Sequence, residues 1–290
     1  MGVRCGHRHT GALGRFAIFL TLFTMRVLAR RPFLQFSLGQ ALSAAALPAA
    51  WARERVAARA ESPLVGVDPV LVTSGLTTRW QSAMKQDLGW KARWSPMDTG
   101  EVLTQLDQGL IDAGLFLSHP RADDLDKQGL IYNRHTVART DVLLLGPPAD
   151  LAGIHNEADP GRALAQVLAA AGAGAAQWQA PPAGSALAAL ADQLTHGLAS
   201  KGLPAASKPT TSQAPAYRLM TAAQWQHMPA RHDALKIWMA DKPGLSLQAQ
   251  VACSFRARHA GAKLLVNWLQ WPLAQSAVKA LRPAWHPIKE

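Results

Sequence analysis

The chain has 290 residues and a formal net charge of +11, from 30 basic and 19 acidic side chains. Nine arginines and one glutamate fall in residues 1–60, so +8 of the charge sits there and the rest of the chain carries only +3. With no Lys/Arg stripe interleaved with aromatics, this balance gives no support to a nucleic-acid partner. The two cysteines, Cys5 and Cys253, offer no zinc-type spacing.

Residues 1–60 read as an export leader. Arg26, Arg30 and Arg31 supply the basic start, and residues 36–50 supply a mildly apolar stretch rich in Ala and Leu. Ala50-Trp51-Ala52 and Ala58-Arg59-Ala60 are two small-x-small cut sites. The order Arg-Arg-x-Phe-Leu-Gln resembles the twin-arginine export signal; an ordinary secretory leader with a chance arginine pair is the alternative. The upstream apolar run, residues 16–23, is shorter than the roughly 20 residues a membrane-spanning helix needs. Met25 is therefore expected to be the true start, and the rest of the chain to be periplasmic after cleavage.

Beyond residue 60, Val70 to Val72 read as a short strand, followed by the turn Thr73-Ser74-Gly75. Leu76, Trp80, Met84 and Leu88 then step by four, one face of a helix, with Ser74 as its expected N-cap. Thr99-Gly100 precede a second helix, with Val102, Leu103 and Leu106 inward and Gly109 at its end. Ala113 to Leu117 read as a buried strand closed by Ser118-His119-Pro120, and Asp141 to Leu145 as another, broken by Gly146 and two prolines. Asp159-Pro160 start a helix carrying Leu164, Val167 and Leu168. Leu187, Leu190, Leu194 and Leu198 form a further helical stripe. The segments "LKIWMA" and "LSLQAQVACSF" read as strands, and helices around residues 262–269 and 272–281 end the chain. Short apolar strands alternating with helices indicate an α/β fold.

The block at residues 97–154 resembles the tungstate-binding periplasmic proteins of ABC transporters. The matching positions are Thr99-Gly100, His119-Pro120, Asn133-Arg134 and Gly146-Pro147. The C-terminal "AGAKLLVNWLQWPLAQSAVKAL", with Trp268-Leu269, is similar to that family's closing pair of helices. Weaker likeness covers the Thr73–Gly75 turn and "AYRLMTAAQW". The resemblance spans most of residues 66–285, and residues 98–154 carry its specific part. It implies a two-lobed periplasmic-binding-protein-like clamshell (type II) with a hinge of two crossing strands. Lobe 1 would take residues 61–144 and 250–290, and lobe 2 residues 145–249, with crossings near 143–147 and 245–251.

The expected function is capture of a small oxyanion, tungstate-like or molybdate-like, for the membrane permease of an ABC importer. The protein would act as a monomer, without cofactor or metal and without making or breaking a bond. A tetrahedral oxyanion needs convergent donors, which helix N-termini, hydroxyls and an arginine provide. The candidate ligand-binding residues are Thr73, Ser74, Gly75, Thr99, Gly100, Ser118, Arg134 and Ser185. Each has a plainer alternative: Thr73, Ser74, Thr99 and Ser185 as helix caps, Arg134 in a surface ion pair, and the neighbouring His119 stabilising a turn.

The chain departs from the family's Ser-Arg-Gly-Asp-x-Ser-Gly-Thr-His motif at "APPAGSALA", residues 180–188. Ser185 stays in register, but Pro181, Leu187 and Ala188 replace the arginine, threonine and histidine. The family's first-strand Thr-Thr-Thr-Ser shrinks to Thr73-Ser74. A looser, more apolar site for another small anion or an organic acid is the first alternative, together with a non-transporting sensor partner. An exported enzyme is less well supported. There is no cysteine cluster, no dinucleotide glycine pattern, and Ser82-x-x-Lys85 lacks the partners that a penicillin-binding site requires.

Overall fold

The computed structural model describes residues 62–196, 216–228, 234–257 and 259–288. The expected leader, the start at Met25, both cut sites, Cys5 and Leu198 lie outside them. β1 is Leu64–Val67, not Val70 to Val72. Asp68 accepts from the Val70 amide and Pro69 takes the first helical position, so the valines fall in a short helix, α1 (Pro69–Thr73). Aspartate followed by proline is a helix start, and here it outweighs the β preference of the valines.

The next helix, α2 (Leu76–Leu88), is capped by Gly75 at φ 75°, not by Ser74. That left-handed conformation favours glycine, and no side-chain hydroxyl caps this end. Trp80 and Met84 form its buried face. β2 (Arg93–Pro96), which the hydrophobic pattern does not reveal, pairs parallel with β1. α3 (Thr99–Gln108) buries Val102, Leu103 and Leu106 and ends on Gly109 at φ 72°. β3 (Ala113–Leu117) is wholly buried, and α4 (Pro120–Lys127) follows.

β4 runs for sixteen residues, Ile131–Gly146, far beyond the five expected. β7 (Ser246–Ser254) returns antiparallel to it. Between them lie α5 (Pro160–Gly172), α6 (Ala186–Thr195), β5 (Arg218–Thr221), α7 (Ala222–Gln226) and β6 (Lys236–Met239). α8 (Ala260–Trp268) and α9 (Pro272–Lys279) close the chain. The strand order is β2-β1-β3-β7-β4-β5, with β6 also on β4.

β4 joins two ladders. Its residues 131–141 pair with β7, while 142–146 pair with β5 and β6. Asp141 is paired with Ser246, the first residue of β7, where the change occurs. The C-terminal segment clasps β4 just before this point. Arg139 and His286 exchange backbone bonds of 2.9 and 2.8 Å, the Thr140 hydroxyl donates to the Ala284 carbonyl at 2.8 Å, and His286 Nε2 lies 2.9 Å from Asp141. Helix α2 also meets the last two helices. Trp80 Nε1 donates to the Ala274 carbonyl at 3.1 Å, and Trp268 Nε1 to Asp87 at 2.8 Å.

Among the described residues no helix is long and apolar enough to cross a membrane. Cys253 is fully buried and burial pushes its thiol up to about 11, so it is an inert packing group. Trp80 is fully buried, and Trp80→Ala is expected to cost about 3–5 kcal/mol in urea unfolding. A loss under about 1 kcal/mol would show that α2 and α9 do not depend on this contact.

Candidate functional site

The start of α3 is the centre of the candidate site. Thr99 is fully buried. Its hydroxyl donates to Asp68 Oδ2 at 2.7 Å and accepts from the Leu117 amide at 3.1 Å. Asp68 Oδ1 accepts from the Val70 amide at 2.9 Å, and the Asp68 amide donates to the Leu115 carbonyl at 2.9 Å. One carboxylate and one hydroxyl thus tie the ends of β1 and β3 to the starts of α1 and α3. Asp68 is only 5% exposed. Burial pushes its carboxyl above the ordinary value, against the bonds from Thr99 and Val70, and nearby Asp98 adds to the rise.

The next amide of α3 reaches the segment that leads into α6. Gly100 N–H donates to the Gly184 carbonyl at 3.0 Å, and a Cβ on Gly100 would stand 2.7 Å from that oxygen. Gly184 has φ 77° and leads into Ser185, the N-cap of α6, whose Oγ accepts from the Ala188 amide at 3.2 Å. The two helix starts are therefore in contact through main chain alone.

Beside this contact lies a cavity of about 540 Å3. His119 and Pro120 at the start of α4 line one side, and Ser185, Asp192, Gln193 and His196 of the α6 segment line the other. His119 Nδ1 accepts from the Arg121 amide at 3.1 Å, which places the neutral ring's proton on Nε2. Burial and the Arg121 charge lower the pKa of His119, favouring that neutral form. The cavity can offer donors from His119, Ser185 and Gln193, and an acceptor at Asp192. Among the described residues no group of three His, Cys, Asp or Glu could hold a metal ion.

The sequence candidates distribute unevenly around this centre. Thr99, Gly100 and Ser185 come together there. Ser118 follows β3, where it exchanges bonds with Gln248: its amide donates at 2.7 Å and its Oγ accepts at 3.2 Å. The Thr73 hydroxyl donates to the Pro69 carbonyl at 2.9 Å, and the 1% exposed Ser74 donates to the Leu71 carbonyl at 3.3 Å. Both hydroxyls thus engage carbonyls of residues 69–73, and Gly75 caps α2. Arg134 is paired with Asp123 at 2.7 Å and Asp126 at 3.3 Å, the plain ion pair weighed from sequence. Asp68 escaped the motif reading, though Asp-Pro after the apolar run 64–67 marks it as a helix cap.

Folding favours protonated Asp68, so its contribution is fullest below the unfolded pKa and is lost as pH rises through the folded one. The stability of the wild type relative to Asp68→Asn is expected to rise as pH falls from neutral into the acid range. Urea unfolding across that range checks this; a flat or falling difference contradicts it. Gly100→Ala must displace the Gly184 carbonyl and is expected to cost about 1–3 kcal/mol in the same assay. No loss would show that the cleft floor is free to open there.

No family model matches the chain, and no curated protein matches it. Among solved structures, a periplasmic candidate metal-binding protein matches with 19% identity and TM-score 0.65, covering 78% of this chain and 96% of that one. The tungstate-binding protein of Desulfovibrio alaskensis G20 matches with 18% identity and TM-score 0.62, covering 80% and 100%. The tungstate ABC transporter protein of Geobacter sulfurreducens matches with 16% identity and TM-score 0.60, covering 76% and 98%. At these identities the likeness is one of fold: an α/β, type II periplasmic-binding-protein-like architecture.

Proposed function

We propose that the chain is an exported solute-binding protein that captures a small anion between two lobes for an ABC importer. Lobe 1 would comprise residues 61–144 and 250–290, and lobe 2 residues 145–249, turning about β4 and β7. The observation that carries this reading is the cavity of about 540 Å3, bounded by His119 and Pro120 on one side and by α6 on the other. The permease is the proposed partner and the periplasm the proposed location, in line with the export-type leader and the fold.

The ligand is a small anion of the oxyanion or organic-acid class. His119 Nε2–H, Ser185 and Gln193 would donate to it. Lowered basicity suits His119 to act as a neutral donor, so binding does not require its protonation. Nothing in this site calls for chemistry on the ligand. The Ser82 hydroxyl donates to the Thr78 carbonyl of its own helix at 3.0 Å.

A second reading, a clamshell that no longer transports, is favoured by the Gly100–Gly184 bond, which engages an amide at the start of α3 that an anion would otherwise take. Thermal-shift and calorimetric titration with tungstate, molybdate, sulfate and small mono- and dicarboxylates separates the readings. A binding protein gains stability as RT ln(1 + [L]/Kd) with its ligand. At least one anion is expected to raise the melting temperature, and His119→Ala to weaken that anion's binding about tenfold while the fold persists. A chain silent to every anion in the panel is not a capture protein.

A further inference from the structure

At the start of α3 a side chain of the molecule itself occupies donors that an oxyanion would use. The Asp68 side chain accepts from the Val70 amide and the Thr99 hydroxyl. An oxyanion bound at this place would take the same kind of donors, a helix-terminal N–H and a hydroxyl. The following amide, Gly100, is also engaged, by the Gly184 carbonyl. The surroundings add negative charge: Asp98 is the N-cap residue of α3, and Glu101 lies in its first turn. The arginines on α4 and β4 do not offset this charge here. Arg121 donates to Thr104 at 2.7 Å and lies 3.9 Å from Asp107, and Arg134 pairs with Asp123 and Asp126.

We propose that Asp68 is a specificity-determining residue, a resident carboxylate that takes the place of a ligand oxyanion at the start of α3 and excludes tetrahedral dianions from the cleft floor. An oxyanion at this place would have to displace the Asp68 side chain from the Val70 amide and the Thr99 hydroxyl. Ligands taken by the cavity beside His119 must therefore be anions that leave the α3 start untouched. This deepens the capture reading and rests on it only for naming the cleft as the binding region.

The test is calorimetric titration of the purified chain with sodium tungstate and sodium sulfate. The wild type is expected to show no saturable binding. Asp68→Ser shortens the side chain, so that its hydroxyl can still cap Val70 but no longer holds the Thr99 hydroxyl, and it is expected to bind at least about a hundredfold tighter than the wild type. Asp68→Asn keeps the site filled and is expected to stay silent. Asp68→Gly is the second opening variant, and cooperative thermal unfolding establishes that each variant is folded. Tungstate binding by the wild type as tight as by Asp68→Ser overturns the proposal, as does a folded but silent opening variant. Should neither opening variant fold, the wild type decides: saturable tungstate or sulfate binding overturns the proposal, and none supports it. The two readings fail separately. A wild type that answers a carboxylate while Asp68→Ser stays silent leaves capture intact; a wild type deaf to the whole panel, with a gain in Asp68→Ser, leaves only the role of Asp68.

Discussion

Taking a carboxylate out of water is costly unless donors surround it, and Asp68 is 5% exposed. The local structure is arranged around that demand. α1 starts where it does because Asp68 accepts from Val70, and the buried Thr99 is held by Asp68 on one side and Leu117 on the other. Two parallel strands, β1 and β3, thereby deliver two helix starts to one point. The donors at the start of α3 are satisfied by the chain itself, by Asp68 and by the Gly184 carbonyl.

The two sides of the cleft are joined by main chain as well as by the strands beneath. β4 passes from the β7 ladder to the β5 and β6 ladders at residues 141–142. The segment around Trp285 and His286 holds β4 immediately before that change. The cavity lies beside the Gly100–Gly184 bond.

Helices with clear stripes were legible in the sequence. α2, α3, α5 and α6 follow Trp80 and Met84, Val102 and Leu106, Leu164 and Val167, and Leu187 and Leu190. β3 and β7 were legible because they are apolar and bounded by turn residues. The first strand was misplaced because valines at 70 and 72 look like a strand when the Asp-Pro start is given too little weight. Most of β4 was illegible: Tyr132, Asn133, Arg134, His135 and Thr136 are partly exposed, and the ladder slips twice there. The meeting of Asp68 with Thr99, 31 residues away, depends on the β1–β3 register, which no local spacing encodes. The pairing of Arg134 was partly visible, since Asp123 and Asp126 stand three apart on one helix face.

The central claim is that an internal carboxylate holds the start of α3. The most direct measurement is a crystal structure of the chain grown with tungstate, with data collected to reveal the anomalous signal of tungsten. The account predicts Asp68 within hydrogen-bond reach of the Thr99 hydroxyl and no tungsten at that helix start. A tungsten peak bound by the Thr99 and Gly100 amides, with the Asp68 side chain swung away, would contradict it.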